Sequence, residues 1–150
     1  FSINNIYSMS KNVIITGTSS GIGFELVKLF SENNNNNILA ISRNNNTLRM
    51  LDLPGVTSID LDLTESEDLS LLDKYLKSFK NVDILINNAG HLVNKSFEET
   101  TLKDFQDIYS TNVFSVAMLI KKVIKFIIFN KIKSFCESYF IIFHSISSLN

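Results

Sequence analysis

The stretch NVIITGTSSGIGFELVKLF, residues 12–30, decides how this chain is read. Its opening, NVIITG (12–17), is a run rich in β-branched residues that ends in glycine, the pattern of a buried strand. From Gly21 onward, Ile22, Leu26, Leu29 and Phe30 recur at helical spacing. Between strand and helix lies TGTSSGIG (16–23). Gly17 permits a tight turn, Gly21 removes a side chain where backbone must approach a phosphate, and Gly23 allows close helix–strand packing. The helix start offers free N–H groups and the positive end of its dipole to an anion. Ser19 and Ser20 add hydroxyl donors, and Ile22 belongs to the same turn. A plain Gly/Ser turn is the competing reading. The strand–turn–helix context favours a dinucleotide phosphate site.

The remaining chain repeats the strand–helix alternation. ILAIS (38–42), VTSIDLD (56–62), VDILI (82–86) and YFIIFHSI (139–146) read as further strands. NTLRML (46–51) is a short helical segment closed by Pro54-Gly55. The segment from Thr64 to Phe79 starts with Thr64 and Glu67 in capping-box register and carries Leu69, Leu72, Leu76 and Phe79 on one face. A long helix is expected from about Leu102 to about Lys131, with Phe105, Ile108, Val116, Leu119 and Val123 in phase. The run Asn33–Asn37 reads as a solvated loop. Continuous apolar strands joined by helices imply a parallel sheet covered on both faces, a doubly wound α/β fold of Rossmann type with five strands. Ligands bind such folds at the carboxyl ends of the strands, so the residues after each strand carry the chemistry.

Composition narrows the classes. At 150 residues, with 45% apolar and 19% charged residues, the chain is one globular domain with a real core. A net charge of −1 with no basic stripe argues against nucleic-acid binding. No uninterrupted apolar run approaches the ~18 residues of a membrane span. The greasiest segment, KKVIKFIIFNKIK, is broken by lysines and reads as a buried helix edge, with an interfacial amphipathic helix as the alternative. The lone Cys136 excludes an internal disulfide and fits a reducing, cytoplasmic setting. FSINNIYS is no secretory signal. Met9 is the first methionine, so residues 1–8 read as an overhang and 9–150 as the nucleotide-binding domain.

The other strand ends sharpen the site. After the second strand, an NAD-type site wants an acid roughly 20 residues past the glycines to grip the ribose 2′-hydroxyl. No Asp or Glu occurs between Glu32 and Asp52, and Arg43 stands there instead. A guanidinium favours a 2′-phosphate, which places NADP(H) ahead of NAD(H). After the third strand, Asp62 can accept from the adenine amino group and Leu63 can cover the ring, while Asp62 also suits a helix cap. After the fourth, NNAG (87–90) offers small residues and amides for close passage of a cofactor, and Asn87 can bridge neighbouring strands. No metal-ligand set is assigned.

Together these strand ends resemble the short-chain dehydrogenase/reductase superfamily. The matching elements are T-G-x-x-x-G-I-G at 16–23, the D-x-T step Asp62 to Thr64, N-N-A-G at 87–90, Asn112 in YSTNVF, and SISSLN at 145–150 beside that family's N-I-S-S-x-x-G. The resemblance spans nearly all of 9–150. It implies an NAD(P)-dependent oxidoreductase exchanging hydride with a small carbonyl or alcohol substrate. It makes Ser148 the catalytic serine, with Ser147 the near alternative, and Asn112 the helix asparagine that holds a water in the proton relay. It makes Asn87, Ala89 and Gly90 cofactor-lining. It implies pairing of copies through the long helix around 102–131. It also implies a Y-x-x-x-K motif after the serine, and the sequence ends two residues past Ser148. Tyr7 and Lys11 have that spacing but precede the first strand, which reads as coincidence. The segment near 126–139 is longer than the resemblance calls for. His91 reads as a loop histidine and His144 as a packed strand residue. Three readings therefore stand: the amino-terminal part of a reductase, inactive alone; a truncated paralogue that binds nucleotide without catalysis; or a non-functional fragment.

Overall fold

The structure, a computed structural model, describes residues 10–79, 81–131 and 139–141, with side chains described as far as residue 127. Five parallel strands form one sheet in the order β3-β2-β1-β4-β5. They are β1 (Asn12–Thr16), β2 (Asn37–Ser42), β3 (Val56–Asp60), β4 (Ile84–Ile86) and β5 (Tyr139–Ile141). The order runs outward from β1 to one side and then resumes from β4 on the other. That reversal opens a crevice between the carboxyl ends of β1 and β4. Registers such as Val13↔Ile38 and Val13↔Ile84 fix β1 at the centre.

Both faces of the sheet are covered, and the side chains of β1 show why its centre, Val13–Ile15, is apolar throughout. Val13 and Ile15 pack with Val27, Leu48 and Ile86 on one face. Ile14 packs with Leu72, Leu76, Leu85, Leu119 and Val123 on the other. Alternate residues of a strand point to opposite faces, so a doubly covered strand has no polar position to spare. Each such Leu or Ile contributes about 1.5–3 kcal/mol when fully buried.

The helices are α1 (Gly21–Ser31), α2 (Asn46–Arg49), α3 (Ser66–Leu76), α4 (Leu102–Tyr109) and α5 (Ser115–Lys131). In α3 the expected face is buried, since Leu69, Leu72 and Leu76 with the following Phe79 all lie in the core. The α1 face differs from the sequence reading. Ile22 and Leu29 are 64% and 58% exposed, and the helix meets the sheet through Gly23, Val27 and Ser31. Small residues let α1 sit close; of the expected face, Leu26 and Phe30 pack partly buried against the core, and Ile22 and Leu29 fall to the flanks. The expected capping box at Thr64 and Glu67 is not formed. Thr64 turns its hydroxyl and N–H to Asp62, and α3 starts later, at Ser66, with Glu65 at the cap and no side-chain cap bond. The capping box that does form is Thr101 with Asp104, at the start of α4.

The long helix is interrupted. Residues Ser110–Phe114 form a wider turn of π type between α4 and α5. Ser115 Oγ donates to the Thr111 carbonyl there, and the Asn112 amide leaves the helix to bond elsewhere. α4 has no buried residue, and Phe105, expected in the core, is 41% exposed. Leu102, Tyr109, Phe114 and Met118 are exposed beside it. Among the described residues no helix is long and apolar enough to cross a membrane. Cys136, His144, Ser147 and Ser148 lie outside the described residues, as do the end of the expected fifth strand and the whole of the overhang at residues 1–8.

Candidate functional site

A cleft of about 840 Å³ opens over the carboxyl ends of β1, β2, β3 and β4. Gly17, Ser19, Ser20, Gly21, Ile22, Arg43, Asp62, Leu63, Ala89 and Gly90 all line it. These residues come from four separate stretches of sequence, and the parallel sheet brings them to one edge because every strand ends there.

The glycine turn is built as its spacing implies. Gly17 has φ +70°, and a Cβ there would lie 2.8 Å from both the Ala89 Cα and the Asn88 Nδ2. Gly23 allows no Cβ either, because it would run into the Gly17 carbonyl and the Asn88 amide. Gly21, at φ +60°, faces open space. Ser20 caps α1 in extended conformation without a side-chain cap bond. The first N–H groups of α1 are thus left for a ligand. Among the described residues Ser19 and Ser20 make no hydrogen bond of their own, so both hydroxyls are available.

β4 is tied to this turn by Thr16 and Asn88. Thr16 Oγ1 accepts from the N–H groups of Asn88 and Ala89, each at 3.0 Å. Asn88 Nδ2 donates to the carbonyls of Thr16 and Gly17, each at 3.1 Å. The asparagine that spans the strands and lines the cleft is therefore Asn88. Asn87, the one expected there, is 2% exposed, lies off the cleft wall, and has neither amide atom bonded among the described residues. The sequence names both asparagines, and only strand alternation distinguishes them.

At the β2 end Arg43 is exposed and makes no hydrogen bond or ion pair among the described residues. The neighbouring Ser42 lines the cleft, and its buried Oγ has no partner among the described residues. The chain's other arginine, Arg49, is already committed: its guanidinium holds Asp60 through contacts of 3.1 and 2.6 Å. That contact holds the Asp60 carboxyl below its usual range, with burial opposing and the Asn45 N–H assisting.

Asp62 has a divided role. Its Oδ1 accepts both the Thr64 N–H and hydroxyl, at 2.9 and 2.7 Å. Oδ2 makes no hydrogen bond among the described residues and is left to the cleft. Burial pushes this carboxyl up, but the Thr64 donors and the Arg43 charge outweigh it, so its pKa lies below the ordinary value. The group is an ionised acceptor at neutral pH.

Asn112 does not line the cleft. Its Oδ1 accepts the His91 N–H at 2.7 Å and its Nδ2 donates to the His91 carbonyl at 2.9 Å. The amide is used up bracing the loop after NNAG, and His91 beside it forms part of the cleft wall. The sequence reading gave His91 to a solvent loop; it is exposed, and it also lines the site.

The fit to a dinucleotide rests on these features: an uncapped helix start, glycines without room for Cβ at 17 and 23 but open at 21, and an unpaired guanidinium beside an orphan buried hydroxyl.

Comparison with known proteins agrees with this geometry. The family model described as short chain dehydrogenase matches residues 11–134. An uncharacterized oxidoreductase of Saccharomyces cerevisiae is 30% identical over 117 residues, covering 77% of this chain and 38% of that protein. A solved alcohol dehydrogenase from the archaeon Thermococcus sibiricus, complexed with 5-hydroxy-NADP, superposes with a TM-score of 0.70 at 23% identity, over 79% of this chain and 53% of that one. The NADPH-bound carbonyl reductase from chicken fatty liver gives 0.69 at 24%, over 78% and 51%. At these identities the two structures speak for the fold. The chain spans between 38% and 52% of the length of the curated relatives it matches.

Proposed function

The chain belongs to the short-chain dehydrogenase family, and from that premise we propose that its cleft holds NADP(H) in preference to NAD(H), for hydride exchange with a small carbonyl or alcohol. One observation carries the preference. Arg43, at the end of β2, makes no hydrogen bond or ion pair among the described residues, and the sequence has no acid between Glu32 and Asp52 to repel a 2′-phosphate or grip a 2′-hydroxyl. The NADP-type ligands named for two structural neighbours support it. When bound, the nicotinamide supplies or accepts the hydride. The protein's own part is positional. The start of α1 and the Ser19 and Ser20 hydroxyls hold the pyrophosphate, the free Asp62 oxygen receives the adenine amino group with Leu63 against the ring, and Gly17, Ala89 and Gly90 let the cofactor pass close to the backbone.

In this reading Asn112 is a positioning residue. Its side chain braces the His91 backbone from the wide turn Ser110–Phe114. Ser148, or Ser147, orients the substrate carbonyl; both lie outside the described residues. A chain that binds nucleotide without any catalytic role shares the same cleft and is the second reading. The exposed apolar side chains of α4 and α5 are where a second copy packs.

The experiment is a titration of the chain with NADPH and NADH, followed by nicotinamide fluorescence. NADPH is expected to bind about tenfold or more tighter, and Arg43→Leu to bring the two affinities together. Equal affinities in the parent chain refute the preference. Sedimentation of the same samples reads self-association, and a monomer throughout contradicts the packing of copies.

A further inference from the structure

Arg43 lies on a short span of backbone that is fastened at both ends to the same turn. Ahead of it, the Ile41 carbonyl accepts the Gly17 N–H at 2.8 Å. Behind it, Asn45 Oδ1 accepts the Thr18 hydroxyl at 2.7 Å. Gly17 and Thr18 are consecutive residues of the glycine turn, so the turn and the arginine loop share two fastenings, one in the main chain and one between side chains.

The side-chain fastening is fully internal. Thr18 and Asn45 are both 0% exposed. Asn45 is also saturated: its Nδ2 donates to the Ile59 carbonyl at 2.7 Å and the Ala40 carbonyl at 3.3 Å, and its N–H donates to Asp60 Oδ1 at 2.8 Å. Two polar side chains placed out of water cost desolvation that an apolar pair of the same volume would avoid. Every polar atom is nevertheless matched, and the match is directional. An apolar pair fills space without fixing which residue faces which. Thr18 is the turn residue that points inward, while Ser19 and Ser20 beside it stay exposed on the cleft side.

We propose that Thr18 and Asn45 form a latch that sets the spacing between the two anion-holding parts of the cleft, the N–H groups at the start of α1 and the Arg43 guanidinium. Both are positioning residues for a nucleotide that carries a pyrophosphate and a ribose phosphate together. This rests on the reading of the cleft as an NADP(H) site. Ser42 on the same span lines the cleft, and its buried hydroxyl has no partner among the described residues. An arginine side chain is long and loses much freedom on binding, so fixing the backbone that carries it lowers the ordering cost for a ligand bridging both parts. A ligand that touches only the pyrophosphate part gains little from the spacing. The latch therefore acts on the ratio of two affinities, which a merely structural contact leaves alone.

The test is calorimetric titration of the 150-residue chain and its variants with NADPH and with NADH, alongside thermal melts. Thr18→Val keeps the shape and removes the hydroxyl. It is expected to reduce the NADPH-to-NADH affinity ratio about tenfold, with NADH affinity changed by less than about threefold. Thr18→Ala is expected to do the same with less risk of crowding, and Thr18→Ser, which keeps the hydroxyl, to preserve the ratio. A ratio unchanged in Thr18→Val and Thr18→Ala, or an equal loss for both dinucleotides, overturns the latch. So does a result in which every hydroxyl-free variant fails to fold while Thr18→Ser folds and binds normally, because the pair then serves folding alone. A parent chain that binds neither dinucleotide, or both alike, overturns the reading of the cleft itself, and the latch falls with it.

Discussion

Arg43 and Arg49 are six positions apart and have opposite fates. Arg49, on α2, reaches the carboxylate of Asp60 at the end of β3 and is spent on it, while Arg43 makes no hydrogen bond or ion pair among the described residues and lines the cleft. Sequence picks out Arg43 by its place after β2, but the commitment of Arg49 depends on a partner eleven residues on and is visible only in three dimensions. The glycines are read more fully from sequence, because each answers to a backbone demand at a fixed offset from the strand. Gly23 and Gly21 now make distinct predictions. Gly23→Ala drives a methyl into the Gly17 carbonyl, an overlap expected to cost about 1–3 kcal/mol. For a chain of this size that lowers the melting temperature by roughly 2–4 °C per kcal/mol. Gly21→Ala meets open space and carries only the left-handed backbone penalty, roughly 1–2 kcal/mol, while placing its methyl where a phosphate would lie. Thermal melts that leave Gly23→Ala at the parent value would contradict the close approach. Ser42 and the Thr18–Asn45 pair went unread in the sequence, and Asn88 was read only within NNAG, since a serine or asparagine carries no periodicity and its role lies in a distant partner.

At the scale of elements, spacing located the helices well and their faces less well. Leu69, Leu72 and Leu76 are buried as their spacing implies, because α3 lies flat on the sheet. In α1 the same rule holds for Leu26 and Phe30, which pack against the core, and fails for Ile22 and Leu29, because close packing at the glycine turn centres the contact on Gly23, Val27 and Ser31. The capping-box pattern occurs at Thr64 and again at Thr101, and only the second is realised. At the first, Asp62 takes the Thr64 hydroxyl before the helix can. At the second, Asp104 accepts the Thr101 N–H and hydroxyl at 2.8 and 2.7 Å and the Lys95 ammonium at 2.9 Å. These contacts, the Thr101 donors first, hold the Asp104 carboxyl far below its ordinary 3.8. The folded value lies under the unfolded one, so the stabilisation is complete above the unfolded value and disappears as pH falls through the folded one. Melting temperature is therefore expected to be flat near neutrality and to drop below about pH 4, with Asp60, Asp62 and Asp73 adding to the drop. Asp104→Asn is expected to melt lower at neutral pH and to lose part of the acid slope. An unaltered slope in that variant would remove the capping box from the explanation. The wide turn at Ser110–Phe114 had no signal in the helical pattern, because the pull on Asn112 comes from His91, twenty-one residues earlier.

For the whole molecule, strand–helix alternation was enough to foresee a parallel sheet covered on both faces, and the strand order then follows from right-handed crossovers and the reversal after β3. That reversal creates the site: the helices that follow β1 and β4 pack on opposite faces of the sheet, and the glycine loop, Arg43, Asp62 and NNAG line one cleft at the shared edge. The opposite end of the sheet is closed by its own polar bonds, where Asn12 meets Asp83, Asn81 and Asn37. Whether a dinucleotide occupies the open end is read most directly by amide hydrogen exchange of the 150-residue chain with and without NADPH. Added protection is predicted at residues 17–23, 42–45, 61–64 and 88–91, with the Asn12, Asn37 and Asp83 end unchanged. Exchange that NADPH leaves unaltered, or protection gathered at that opposite end, would contradict the account.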